Sequence, residues 1–160
     1  MKAILSLGTN IDNRQQHIAD AVEAIGILGT IDCISSLYET KPWGFESNKA
    51  FINIALILDT TLCAFDLLNA TQEIERQLGR TQKSVDGIYH DRPIDIDIID
   101  FNGQITNYPR LTLPHPLMHK RNFVLYPIAE IAPNWQHPIL KKNITSLIRE
   151  TTDKDIPRML

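Results

Sequence analysis

The sequence predicts an α+β fold, a ferredoxin-like βαββαβ antiparallel sheet with helices on one face, plus C-terminal additions. Three observations lead there. Apolar, β-prone runs at 2–7, 31–40, 50–60 and 93–101 alternate with two segments whose apolar residues recur at helical spacing. Their order along the chain is the split-βαβ pattern. The 160 residues, 43% hydrophobic and 22% charged, also suffice for one packed domain, taken as 1–160.

"KAILSL" (2–7) is a short apolar run stopped by Gly8, which reads as a buried strand. Ile18, Ala21, Val22, Ile25 and Leu28 share one face of a helix over about 13–28. "IDCISSLYET" (31–40) and "AFINIALILDT" (50–60) are strands separated by the loop "KPWGFESNK". Leu67, Leu68, Thr71, Ile74 and Leu78 mark a second helix, with Gly79 placed to end it. A polar loop, 80–91, leads to the strand at 93–101. Asn102-Gly103 is a type I′ signal for a hairpin into 104–107. After a Pro-bearing loop come a helix near 120–131 and a short one near 145–150.

A net charge of −3 gives no global basic field, so no nucleic-acid partner is expected. No apolar run approaches the ~20 residues that span a bilayer, and the N-terminus lacks a signal-peptide pattern. Cys33 and Cys63 sit alone in apolar stretches, which suggests reduced, buried thiols in a cytoplasmic protein. The expected state is a monomer, with a dimer as the alternative.

The most informative stretch is "DRPIDIDIIDF" (91–101), where carboxylates interrupt an isoleucine-rich strand. Strand alternation puts Ile94, Ile96 and Ile98 on one face and Asp95 and Asp97 on the other. Asp100 falls with the isoleucines and reads as structural. Two carboxylates ~6 Å apart repel by roughly 3 kcal/mol at an effective dielectric near 20. Exposure to water on a sheet edge would relieve that; so would a hard cation such as Mg²⁺, or two of them bridging the pair. Arg80, Lys83 and Arg92 lie just upstream, and "RLTLPHPLMHKRNF" (110–123) adds Arg110, His115, His119, Lys120 and Arg121. An acidic chain that gathers its cations around a carboxylate pair suits a metal–polyphosphate site. "GRTQKS" (79–84) is not a Walker A loop, since Gln82 stands where that motif needs Gly. Asn53 shares a strand face with Phe51, a combination that suits a flat heterocycle.

"LSLGTN", "YETKPWG…FINIALIL", "RPIDIDIIDFNG" and "RLTLPHPLMHKRNFVLYPIAEIAP" together resemble the 6-hydroxymethyl-7,8-dihydropterin pyrophosphokinase family, from the first strand to about residue 140. The resemblance implies transfer of the terminal pyrophosphoryl group of ATP to the hydroxymethyl oxygen of the pterin, releasing AMP, in folate biosynthesis. It implies that Asp95 and Asp97 hold two Mg²⁺ ions and that Arg80 and Arg92 act on the transferring phosphates. His115 and Arg121 match ATP-phosphate ligands. Gln72, Glu75, Lys83, Ile98, Arg110 and Thr112 complete the nucleotide set. Thr40, Pro42, Trp43, Phe51, Asn53, Asp95 and Phe123 match the pterin pocket. Departures from the family pattern are Gln82 in place of a second arginine, Phe51 for Tyr, and Tyr89 near a Trp position. A non-catalytic ferredoxin-like ligand-binding module and another Mg²⁺-dependent phosphotransferase are the alternatives.

Overall fold

The computed structural model describes residues 1–81 and 88–160. Residues 82–87 of the polar loop read at 80–91, with Gln82 and Lys83 among them, therefore lie outside the described residues. Strand β1 (Lys2–Thr9) leads into helix α1 (Arg14–Gly26), whose N-cap Asn13 accepts from the Gln16 N–H. The run at 31–40 forms two strands, β2 (Thr30–Ile34) and β3 (Tyr38–Thr40). It breaks where Ser35 Oγ accepts the Ala55 N–H, so a side chain replaces a backbone partner. Both pieces pair antiparallel with β4 (Phe51–Asp59). Helix α2 (Ala64–Gln77) follows, then β5 (Asp95–Phe101).

The sheet order is β5-β1-β4-β3, with β2 also on β4, and all these pairings are antiparallel. Asn102 and Gly103 make the expected turn, with φ of 53° and 68°. No hairpin onto β5 follows it: β6 (Thr106–Tyr108) pairs with β7 (Leu111–Leu113) in a separate ribbon. Next come a 3-10 turn at Met118–Lys120, α3 (Asn122–Ile131), α4 (Ile144–Glu150) and β8 (Arg158–Met159), which adds to the edge of β3.

Helices lie on both faces, which corrects the expectation of one. Helices α1 and α2 cover the face built from Leu5, Leu7, Ile52, Ile54, Leu56 and Leu58. Helices α3 and α4 cover part of the other, packing Val124, Leu125, Ile128, Ile144 and Leu147 against Ile4, Ala55 and Ile99. The rest of that second face carries Ser6, Gly8 and Asn53 and opens onto a cavity that Phe123, in the first turn of α3, also lines.

A register shift between Ile4 and Leu5 corrects the reading of Asp100. Leu5 pairs Ile98, but Ile4 pairs Asp100, so Ile99 is the extra residue of a bulge. The bulge turns Asp100 to the aspartate side, away from the isoleucines. Its role is still structural, for Oδ2 accepts the Gly103 N–H at 3.1 Å. Cys33 is half-buried and Cys63 exposed, both as free thiols, so Cys63 is not the buried residue expected. Among the described residues, no helix is long and apolar enough to cross a membrane.

Candidate active site

The site begins with the pleat. Asp95 pairs Gly8 and Asp97 pairs Ser6, so both carboxylates stand on the uncovered part of the second face. Gly8 is there for space: a Cβ would come within 2.9 Å of Asn53 Oδ1. Asn53 is buried, and its Nδ2 donates to Thr40 Oγ1 at 2.8 Å. Phe51, Asn53 and Thr40 thus share one wall.

Arg80 arrives through the end of α2. Gly79 takes φ of 95°, its N–H reaches Arg76 O at 3.1 Å, and the Arg80 N–H reaches Glu75 O at 3.0 Å. This is a Schellman turn, so the glycine expected to stop the helix also aims the next side chain. Arg80 Nη1 then donates to Glu75 Oε1 at 2.6 Å and to Asp95 Oδ1. Arg92 Nη2 lies 3.1 Å from the other oxygen, Asp95 Oδ2. Strand β5 ends the sheet on this side, and its outward Ile96 N–H is taken by Glu75 Oε1 at 2.7 Å. Glu75 therefore both orients the arginine and closes an edge that would otherwise be open.

The two aspartates differ in consequence. Burial pushes the Asp95 carboxyl up, but Arg92 and Arg80 outweigh it and hold the group below its ordinary range. Asp97 is pushed up by burial and by the charge of Asp95, and its nearest basic side chains stand off: His115 Nε2 at 4.0 Å and Arg121 Nη1 at 3.9 Å. Burial also raises Glu75 to about 7, against the pull of Arg80. His115 is fixed in place, with its N–H on Ile99 O at 2.9 Å and its Nδ1 accepting the Leu117 N–H at 3.2 Å. That bond puts the ring proton on Nε2, facing Asp97. Burial lowers the His115 pKa and so favours this neutral form.

Two cavities meet at these carboxylates. A narrow one of about 30 Å³ has Thr40, Trp43, Phe51, Asn53 and Phe123 among its walls. A wide one of about 400 Å³ runs along the edge of β5 past Gln72, Glu75, Arg80, Ile98 and His115, with Arg110 and Thr112 across it. Tyr89, Asp95, Asp97 and Arg121 belong to both. The Arg121 guanidinium sits 4.5 Å above the Trp43 ring and donates to Tyr89 Oη at 2.9 Å.

The structure thus gathers nearly all the residues singled out in the sequence, in two groups. Pro42, His119 and Lys120 are the exceptions, since they line neither cavity; Lys83 lies outside the described residues. Gly8, Phe45 and Tyr89 also line the narrow cavity and were not assigned to a binding site. The Gly in "LSLGTN" and the aromatics of "PWGF" were visible, but nothing in their spacing shows which wall they meet. Asn10 was missed as well. Its buried amide receives the Arg92 N–H at 2.9 Å and donates to Asp91 Oδ1 at 2.6 Å, holding the segment that carries Arg92.

Among the described residues, no group of three or more His, Cys, Asp or Glu side chains is arranged to hold a metal ion. Asp95 and Asp97 supply two hard oxygen donors, and Asp97 accepts no hydrogen bond among the described residues. That donor set suits Mg²⁺ completed by water and phosphate oxygens.

A carboxylate pair ringed by Arg80, Arg92, Arg121 and His115, between an aromatic slot and a polar groove, defines a phosphotransferase of the α+β class. The comparisons make this specific. The chain matches the 7,8-dihydro-6-hydroxymethylpterin-pyrophosphokinase (HPPK) family over residues 4–133, and it belongs to that family. It is 47% identical over 136 residues to the 2-amino-4-hydroxy-6-hydroxymethyldihydropteridine pyrophosphokinase of Porphyromonas gingivalis, covering 84% of this chain and 92% of that one. The enzyme of the same name from Aquifex aeolicus is 37% identical over 150 residues, 94% of this chain and 92% of its own. In fold, the chain resembles the HPPK-DHPS of Plasmodium falciparum, with a TM-score of 0.75 at 17% identity over 93% of this chain. It spans only 45% of that longer chain.

Proposed function

We propose that this protein transfers the pyrophosphoryl group of ATP to the hydroxymethyl oxygen of 6-hydroxymethyl-7,8-dihydropterin, releasing AMP, as a step of folate biosynthesis. The observation that carries the reading is the unequal carboxylate pair at the junction of the two cavities. Asp95 already meets the guanidinium groups of Arg80 and Arg92, whereas Asp97 is half-buried with no hydrogen-bond donor among the described residues.

The narrow slot takes the pterin. Asn53 offers its amide to the heterocycle edge, while Phe123 and the aromatics facing it sandwich the ring. About 30 Å³ holds a water or two, so Trp43, Phe45 and Tyr89 must part to admit a bicyclic ring. The wide groove takes ATP, with Gln72, Arg110 and Thr112 on the nucleoside side and His115 and Arg121 on the phosphates; Lys83 belongs to the same set by sequence alone. Asp95 and Asp97 would hold Mg²⁺, two ions in our reading, which when bound neutralise phosphate charge and orient the attacking hydroxyl. Arg80 and Arg92 meet the charge that develops on the transferred group and on departing AMP. In-line placement, rather than a strong base, is what such a transfer asks of the protein.

The sheet order β5-β1-β4-β3, with β2 on β4, supports a ferredoxin-like core with α3, α4 and β8 as additions. We take residues 1–160 to be a single domain acting as a monomer, and its compartment to be the cytoplasm.

The test is product analysis with Mg²⁺, ATP and hydroxymethyl-dihydropterin. AMP and the pterin diphosphate must appear together. Appearance of ADP would reject pyrophosphoryl transfer in favour of another phosphotransferase, and absence of any turnover would favour a binding module.

A further inference from the structure

The segment after α4 lies beyond the residues matched by the family, yet it reaches back to the narrow cavity. Asp153 Oδ2 accepts the Asn122 N–H at 2.9 Å, at the first residue of α3. The Asn122 side chain answers by donating to Asp153 O at 3.1 Å and Asp155 O at 2.8 Å. Asn122 is only 4% exposed, so these are the contacts of a built seat rather than of a passing tail. Asp155 Oδ2 accepts the Lys41 N–H at 2.8 Å, on the opposite wall.

The two carboxylates are held in turn. Thr151 Oγ1 accepts the Asp153 N–H at 3.3 Å, and Asp153 Oδ1 accepts the Asp155 N–H at 3.0 Å. Beyond them, β8 pairs with β3, Arg158 Nη2 reaches Glu39 Oε1 at 2.6 Å, and the Leu160 N–H reaches Leu37 O at 2.9 Å. The segment is therefore fastened on both sides of Asp155.

What it fastens is specific. Asn122 stands between Arg121 and Phe123, and Lys41 follows Thr40 and leads to Trp43 and Phe45; all five of these neighbouring side chains line the narrow cavity. Of these, only Arg121 also faces the wide groove. On the free side of the loop, Gly44 takes φ of 80° with the Tyr89 ring packed where a Cβ would be, 3.2 Å from Cε2. The loop at 41–45 is thus gripped between Tyr89 and Asp155.

We propose that Asp153 and Asp155 are positioning residues for the heterocycle-binding slot, acting through Asn122 on one wall and Lys41 on the other. A charge-assisted hydrogen bond from a backbone N–H fixes where each wall begins, and the aromatic side chains that follow inherit that placement. The inference rests on reading the slot as the pterin site.

The test compares Asp155→Ala with Asp155→Asn, which retains an acceptor oxygen. Steady-state kinetics should show KM for the pterin raised about three- to tenfold in the Ala variant, the scale of one such bond, with kcat and KM for ATP unchanged. The Asn variant should recover most of the loss. In a Trp135→Phe background, the emission of Trp43 should shift to the red with Asp155→Ala and return with Asp155→Asn. Equal rises in both KM values, a fall in kcat alone, no kinetic change, or an unmoved Trp43 emission would each overturn the proposal. Failure of the unsubstituted protein to turn over pterin would instead fail the reading of the slot, and the Trp43 emission would still report on the strap.

Discussion

The two faces of the sheet are built from alternate residues of the same strands, and they serve opposite ends. On the first, Leu5, Leu7, Ile52, Ile54, Leu56 and Leu58 are sealed under α1 and α2. On the second, the covered half holds Ile4, Ala55 and Ile99. The uncovered half holds Ser6, Gly8, Asn53, Asp95 and Asp97, and carboxylates repel there within a partly dry cavity. The stability supplied by one face lets the other keep groups that do not stabilise the fold, a division common at functional sites.

That division predicts that substitutions on the two faces separate activity from stability. The largest effect belongs to Asp97→Ala, which should lower turnover by about a thousandfold or more with the thermal midpoint unchanged or raised. A large fall in midpoint would mean that the open face stabilises the fold after all. Leu56→Ala, on the sealed face, should do the reverse and cost about 2–5 kcal/mol in denaturant unfolding, with kcat of the folded fraction retained. Arg80→Ala should lower kcat about a hundredfold and barely change KM, because its contact is worth most as charge develops in transfer. A raised KM at normal kcat would assign it to ground-state binding instead.

Gly79→Ala sharpens the comparison at the point where helix packing hands over to the site. Nothing lies within 4 Å of the Cβ it would add, so only the positive φ is strained, by about 1 kcal/mol. Turnover should drop by more than that loss of stability explains, since the same turn aims Arg80.

The smallest effect sits on the boundary between the covered and open halves. Glu130 on α3 accepts from Tyr38 Oη at 2.8 Å and from the Ser36 N–H at 3.0 Å, tying α3 to β3. Burial pushes Glu130 up, but the bonds from Tyr38 and Ser36 hold it below its ordinary value, while burial and Glu130 push Tyr38 up to about 12. The depressed acid contributes stability above its unfolded value and loses it as pH falls through its folded one. The raised phenol contributes below about 10 and loses it as pH rises through about 12. Tyr38→Phe should therefore cost about 1 kcal/mol near neutrality and nothing at either extreme. A cost independent of pH would place the effect in packing alone.

Much of this was legible in the residues. Helical spacing located α1 and α2, Gly79 ended α2 where expected, and Asn102-Gly103 formed its turn. The strict alternation of "DIDI" put Asp95 and Asp97 on one face. Three features were not legible. The bulge at Ile99 reversed Asp100, because register depends on the partner strand rather than on local pattern. The run at 31–40 split because Ser35 found a partner in β4. Strand β6 left β5 for β7, since the turn sets a reversal but not which edge is paired.

The sequence by itself determined most of the elements and the shared face of the two aspartates, because periodicity and residue type act over neighbouring residues; the family came from its resemblance. Only the tertiary structure decided which half of the second face stays open, which cation meets which oxygen of Asp95, and that a segment at 151–160 holds the slot's two walls. Those outcomes depend on contacts between residues far apart in the chain, such as Lys41 and Asp155. No local pattern encodes a distance of that kind.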